Sequence, residues 1–462
     1  MLNSNNYPIH FIGIGGIGMS AIAEILISQG YPVSGSDIRS TALTRQLSKS
    51  GATVFNHHSP DNVNIAKAVV YSSAIHDDNC EIEAARKKKI PVVHRSEMLS
   101  EIMRRKFSIA VTGSHGKTTT TGIIGEILHR ANMNPSIVMG GILNALSSNA
   151  YSGNGDYIVV EADESDASLL NLYPSIAIIT NIDQEHMDHY GAIEKVQEAF
   201  IKFANRPPFY GASILCLDDP VLAAFQKQIQ STCLTYGIQN SSQFMAKNIE
   251  EIGPFFTSFD LLFENKTIDR FTLRMTGHHN VLNALAAIAA CTLLDIPWDI
   301  QKQALSLIEG VQRRMEIRGE RDQVLVMDDY GHHPTEITAT IKAVKTGWPD
   351  YQLCILFQPH RYSRTKDLFE LFTQAFHQTD QLILLPVYSA GEIPIPGVSS
   401  KELYQSIKKY LSHKVSYVET FEQAIHSIDT NKKQLMLTLG AGDIRQAGDL
   451  FLSKGLQNTD NF

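Results

Sequence analysis

The most specific chemistry in the chain lies in Val111-Thr-Gly-Ser-His-Gly-Lys-Thr-Thr-Thr-Thr121. Backbone N–H groups of Gly113, Ser114, His115 and Gly116 can wrap a phosphate. Lys117 can reach β and γ oxygens, and Thr118, followed by Thr119, can ligate Mg²⁺. Such a loop serves a nucleoside triphosphate and phosphoryl transfer. Its spacing is short, with only two residues separating Gly113 from Gly116 where the common P-loop has a longer spacer. Two strand ends can supply more ligands. Tyr157–Val160 delivers Glu161, and Ile176–Ile179 leads through Thr180-Asn-Ile-Asp to His186. In open α/β sheets ligands collect at the carboxyl ends of strands, so Glu161 and His186 can converge on phosphates held by Lys117. Both types ligate metals, although imidazole is unusual for Mg²⁺. The neighbouring Asp163, Glu164 and Asp166 read as solvated loop residues.

A second phosphate motif opens the chain. In His10-Phe-Ile-Gly-Ile-Gly-Gly-Ile-Gly-Met19, Gly13, Gly15 and Gly18 have GxGxxG spacing, which allows a tight turn against a diphosphate at a helix start. Asp37 follows at about the 20-residue distance of a ribose contact. Alone, this motif fits a nicotinamide dehydrogenase, another diphosphate ligand, or a turn needed only for packing.

These motifs need strands and helices to hold them. Ile9–Gly18, Ser108–Thr118 and Gln434–Asp443 each read as strand, glycine turn and helix, one in each third of the chain. With 462 residues, this predicts three α/β domains around mostly parallel sheets. A polar step at Arg104-Arg105-Lys106 and the stretch Gly310–Gly319 place the junctions, giving 1–106, 107–314 and 315–462. Hydrophobic residues make up 43% and charged residues 19%, as in soluble globular proteins, and a formal charge of −8 offers nucleic acid no basic field. Five scattered cysteines without a CxxC pair suit a reduced, cytoplasmic setting. The N-terminus lacks a signal-like basic and apolar pattern, and the longest apolar run, Ala284–Leu294, is too short to enter a membrane as a span.

GSHGKTTTT, EADESD, NIDQEHMDHY, GHHNVLNALAA, DDYGHHPTE and QPHRYSRT resemble, in order, successive signatures of the Mur ligases, which extend the peptide stem of peptidoglycan precursors. HFIGIGGIGMSAIAE and HRSEMLSEIMR are similar to the branch that attaches L-alanine to UDP-N-acetylmuramate. The resemblance implies a Rossmann-like N-terminal domain for the sugar nucleotide, a central P-loop ATPase-type domain, and a Rossmann-like C-terminal domain. It implies ATP and Mg²⁺, and an acyl phosphate made from the lactyl carboxylate. The recycling branch, which attaches a tripeptide to the same sugar nucleotide, is the alternative. A dehydrogenase would leave GSHGKTTTT without a task, and a non-catalytic UDP-sugar sensor would bind without releasing phosphate. Monomer and dimer both stay open.

Residue roles follow from the same resemblance. Gly15, Gly16, Ile17 and Gly18, with Asp37, Ser72 and Ser73, would contact the sugar nucleotide; a turn or helix cap is the rival role for the two serines. Lys117 would stabilise phosphate charge, while Thr118, Glu161 and His186 would hold Mg²⁺. Asn280 and Asn283, three apart on a helix, would read the adenine, unless Asn280 is a helix cap. Arg313 would reach the ATP phosphates and Asp329 the ribose. Tyr330, His332, Arg361 and Arg364 would take the amino acid: the arginines would clasp its carboxylate, and His332 would position or deprotonate its amine. Several sister ligases carry a carbamylated lysine downstream of the metal histidine. Here Phe200, not Lys202, falls at that position, implying an unmodified site.

Overall fold

Runs of β-branched and aliphatic residues with no polar alternation form strands that must be covered on both faces, the condition of a parallel α/β sheet. The central strands of three sheets are built this way in the computed structural model, which describes residues 7–143, 148–165, 167–183, 190–310, 312–411 and 414–453. The chain divides into two compact units. One comprises Met1–Asn248, Phe259–Leu273 and Asn280–Glu309; the other comprises Ile249–Ser258, Arg274–His279 and Gly310–Phe462.

The first unit carries two sheets. Strands β1 (Ile9–Ile12), β2 (Val33–Ser36), β3 (Thr53–Phe55), β4 (Ala68–Tyr71) and β5 (Val92–His94) lie in the order 3-2-1-4-5, all parallel. This is the doubly wound order, with its switch point between β1 and β4. Helix α1 (Ile17–Ser28) follows β1, and α2 (Arg95–Met103) follows β5. Ile12, Val63, Val69 and Ile82 pack beneath the sheet.

The second sheet has ten strands. They are β6 (Phe107–Thr112), β7 (Ser136–Leu143), β8 (Ser148–Tyr151), β9 (Tyr157–Glu161), β10 (Ile176–Ile179), β11 (Ala212–Cys216), β12 (Thr232–Gly237), β13 (Phe244–Ile252), β14 (Phe256–Phe263) and β15 (Lys266–Leu273). Their order is 15-14-13-12-11-10-6-9-7-8. Strand β6 is parallel to both neighbours, β9 and β10, so three adjacent strands deliver their carboxyl ends side by side. Helices α3 (Lys117–Arg130), α4 (Ile193–Ala204) and α5 (His278–Thr292) follow. In α4, Phe200 is buried, while Lys202 is exposed beside Glu198, so the lysine faces away from the interior.

The third sheet, in the second unit, orders β16 (Glu316–Arg321), β17 (Val324–Asp329), β18 (Gln352–Phe357), β19 (Gln381–Leu384), β20 (Val415–Tyr417) and β21 (Gln434–Leu439) as 16-17-21-18-19-20. Only β16 runs antiparallel, at the edge. The last strand is inserted beside β17 instead of being added at the edge. Both faces of β17 are buried: Leu325 and Met327 against Ile337 and Ile341 of helix α6 (Pro334–Gly347), Val324 and Val326 against Ile425 and Phe451. No helix among the described residues is long and apolar enough to cross a membrane. The five cysteines are free, and burial pushes the thiols of Cys216 to about 11 and Cys354 to about 12, leaving them as small hydrophobes.

Candidate active site

The glycine–lysine–threonine loop leaves β6 and enters α3 at Lys117. Gly113 (φ 133°) and Gly116 (φ 82°) both need backbone that side chains resist, and both are crowded. A Cβ would stand 2.0 Å from Thr180 Oγ1 at Gly113 and 2.3 Å from Asn283 Oδ1 at Gly116. The short spacer is held by the segment after β10. Asn181 Oδ1 accepts from the His115 N–H (2.8 Å), the Asn181 carbonyl accepts from Ser114 N–H (3.1 Å), and Ser114 Oγ accepts from Asp183 N–H (2.8 Å). The loop's curvature is therefore imposed by its neighbour strand.

Charged and hydroxyl groups meet at the mouth of this loop. Thr118 Oγ1 donates to Glu161 Oε2 at 2.9 Å, and the Gly140 N–H reaches the same oxygen at 2.8 Å. A hydroxyl and a carboxylate in contact form a pair of hard oxygen donors, which fits Mg²⁺. Lys117 Nζ bonds Glu164 Oε1 at 2.8 Å and the carbonyls of Gly113 (2.5 Å) and Ser114 (3.1 Å). Asn283 and Asn280 are buried on α5 and share a hydrogen bond (3.2 Å), and Thr120 of α3 donates to Asn283 (3.3 Å). Asn280 is the third residue of its helix, inside the first turn and not at the cap.

At the switch point of the first sheet, Asp37 Oδ2 accepts the Gly15 N–H at 2.9 Å and Oδ1 the Arg39 N–H at 2.9 Å, tying the glycine loop to β2. Gly16 caps α1, and Ile17 stands 49% exposed at its start. Ser72 and Ser73 leave the neighbouring β4, and Ser73 Oγ lies 3.5 Å from His94 Nε2.

In the second unit a row of rings runs Tyr330–His332–His360–Tyr388 at centroid spacings of 5.4, 5.9 and 5.6 Å. Arg313 and Arg314 lie over the Tyr330 ring, and Arg364 donates to His360 Nδ1 at 3.2 Å. Burial, then Arg364, Arg361 and nearby Arg313, pull His360 down to about 4. Burial and Arg364 likewise hold His332 well below its ordinary value. His332 Nδ1 faces the Tyr330 carbonyl at 3.1 Å, which places the proton on Nδ1 and the lone pair on Nε2. Arg361 has φ +70°, a strained backbone for a side chain-bearing residue, just before helix α7 (Tyr362–Asp367).

Family comparison decides what these sites belong to. Residues 8–107 match the Mur ligase family catalytic domain, 111–291 the Mur ligase middle domain, and 313–442 the Mur ligase glutamate ligase domain. The chain belongs to the Mur ligase family. Similar relatives include the UDP-N-acetylmuramate–L-alanine ligases of Desulforapulum autotrophicum, 46% identical over 97% of this chain and 98% of its own, and of Geobacter, 45% identical over 96% of each. Among solved structures, the UDP-N-acetylmuramate–alanine ligase of Thermotoga maritima is 30% identical, covers 98% of this chain and 100% of its own, and superposes with a TM-score of 0.83. A murein peptide ligase from Psychrobacter arcticus shares the fold at 24% identity, 97% and 98% coverage, and a TM-score of 0.69.

In this Mur ligase, Lys117, Thr118, Glu161, Asn280 and Asn283 meet around one loop. His186 and Asp166 lie outside the described residues. One sequence expectation needs correction. Glu164 is 3% exposed and pairs with Lys117, and Asp163 pairs with Arg95 (2.7 Å), so neither is a free solvated acid. Each stands just past the end of β9, where a tertiary neighbour pairs with it and, for Glu164, buries it; a sequence of Asp, Glu and Ser gives no sign of that. Asp329 is also committed locally. Its oxygens accept Met315 N–H (2.9 Å) and Gly331 N–H (2.8 Å), and burial raises its carboxyl to about 6, so it organises the Tyr330 turn. Arg313 is held within its own unit by Asp328 (3.0 Å) and the carbonyls of Gly440 (2.6 Å) and Gly442 (3.2 Å). Sequence reasoning missed Thr180 and Asn181 as loop supports, and Arg95.

Proposed function

We propose that this Mur ligase joins L-alanine to the lactyl carboxylate of UDP-N-acetylmuramate in the cytoplasm, converting ATP to ADP and phosphate. The observation that carries the reading is the contact of Thr118 with Glu161 beside Lys117, at the mouth of a phosphate loop. The near-full-length relatives named for this reaction support it over attachment of a tripeptide, whose structural counterpart is similar at a lower level. We assign the sugar nucleotide to residues 1–106, ATP to 107–314 and the amino acid to 315–462.

A carboxylate and an amine form a salt and not an amide at neutral pH, because the amine is protonated and oxide is too poor a leaving group to depart from the carboxylate carbon. Transfer of the γ-phosphoryl to a lactyl oxygen makes an acyl phosphate. The alanine nitrogen then attacks the carbonyl carbon, and phosphate departs from the tetrahedral intermediate. Phosphoryl transfer asks mainly for positioning and charge neutralisation. Lys117 and the loop N–H groups supply both. Thr118, Glu161 and His186 would hold Mg²⁺, which neutralises phosphate charge when bound. Arg361 and Arg364 take the alanine carboxylate. His332, neutral at working pH, presents Nε2 to the proton that the amine must lose.

Phosphate release with UDP-N-acetylmuramate, ATP and Mg²⁺ tests the assignment. L-Alanine is expected to support turnover and the stem tripeptide is not. Release with the tripeptide alone, or with neither, would overturn it.

A further inference from the structure

HRSEMLSEIMR, singled out in the sequence, has no task in the reaction so far, yet its arginine occupies a distinctive place. Arg95 opens α2, directly after β5. Its Nη1 and Cζ lie 3.0 and 3.8 Å from where a Cβ on Gly18 would stand, so the guanidinium lies close over the first turn of α1. Gly18 is the second residue of α1. That helix has no side-chain cap and no acidic residue in its first turn.

A cation at the start of a helix sits against the positive end of its dipole. Arg95 is placed so twice, in the first turn of α2 and over the first turn of α1. What balances it is Asp163, whose Oδ2 accepts from Nη2 at 2.7 Å; among the described residues this is the guanidinium's one hydrogen bond. A guanidinium has five donors in a rigid fork. The Nη1 side and the first turn of α1 face the same region. That region lies at the carboxyl ends of β1, β4 and β5, where this sheet order places ligands. Several converging donors and a helix start suit an anion with many oxygens.

We propose that Arg95 is a binding residue for the diphosphate of the sugar nucleotide, taking a phosphate oxygen through Nη1 while Asp163 holds Nη2. The inference rests on the function proposed above and adds a side chain to a site otherwise made of glycine-loop backbone. Asp163 is the positioning residue. Its Oδ1 accepts the Ser165 N–H (3.0 Å), fixing the turn, and the next residue, Glu164, holds Lys117. One two-residue turn thus orients the cation of each phosphate site.

The test compares UDP with uridine, which lacks the phosphates, by calorimetric titration without ATP. Arg95→Ala is expected to weaken UDP by roughly tenfold or more, the range of a charge-assisted hydrogen bond, and to leave uridine unchanged. Arg95→Lys should recover part of the loss. Mg-ATP binding reports that the variant is folded. If Arg95→Ala loses it, Arg95→Gln, which keeps a donor for Asp163, reads the same UDP-to-uridine ratio. An unchanged ratio, or equal losses for UDP and uridine, overturns the role of Arg95. Wild-type protein that binds no UDP overturns the functional reading with it.

Discussion

Replacing Glu164 by Gln removes one charge and almost no volume from the phosphate loop, so its effect can be worked out from the structure. The Glu164–Lys117 pair is 2.8 Å long, with side chains 4% and 16% exposed. Breaking one side of a buried pair costs roughly 3–5 kcal/mol, because the other charge stays buried. Lys117 keeps the carbonyls of Gly113 and Ser114, so the loss should fall nearer to about 2–3 kcal/mol. A bound triphosphate supplies the missing negative charge. Nucleotide should therefore stabilise the variant more than the wild type, which must give up Glu164 to engage phosphate. Thermal midpoints with and without saturating Mg-ATP measure both quantities. Glu164→Gln should melt several degrees lower without nucleotide, and the gap should narrow by at least half with it. A variant as stable as wild type without nucleotide, or a gap that Mg-ATP leaves untouched, would refute the idea that Glu164 is the resting counter-charge of Lys117.

Other consequences can be checked separately. Lys117→Ala should abolish phosphate release yet leave UDP binding within about twofold, since the glycine loop of the first sheet lies on different elements; a joint loss would show that the two sites are not independent. Arg361→Ala should raise the apparent KM for alanine by roughly tenfold or more, and an effect on ATP affinity alone would displace the proposed carboxylate clamp. Glu81 is buried. Burial alone would raise its carboxyl, but His10 Nε2 at 3.5 Å and hydrogen bonds with Ser36 (2.6 Å), Asn62 (2.7 Å) and His58 (2.9 Å) bring it down to about 2 from 4.5. A depressed carboxyl stabilises the fold above its unfolded value and loses that contribution as pH falls from 4.5 toward 2, a swing of about 3 kcal/mol. Urea midpoints should drop over that window in wild type and stay flatter in Glu81→Gln; parallel curves would contradict the assignment.

The central loop was legible because its chemistry is local. Two closely spaced glycines, a lysine and a threonine at a strand end can be read without knowing what surrounds them. The same holds for the glycine turn after β1, for the strand-end Glu161, and for Asn280 and Asn283, whose three-residue spacing shares a helix face. Strand order is different. That β6 lies between β9 and β10, bringing Glu161 and Thr180 to either side of the loop, is decided by pairing between segments tens of residues apart. Insertion of β21 beside β17 is equally non-local.

Acids were the hardest residues to read. Asp163 and Glu164 look like solvated turn residues because nothing nearby in sequence pairs with them; Arg95 and Lys117 do so only after folding. Asp329 is a strand-end carboxylate whose oxygens also accept the backbone N–H groups of Met315 and Gly331, a local role that its sequence position does not show. The sequence by itself determined which residue types can hold a triphosphate and which short runs become buried strands, since both depend on neighbours along the chain. Tertiary structure decided which charges face each other, because a carboxylate's partner and its access to water are set by strand order and side-chain burial that no local pattern encodes.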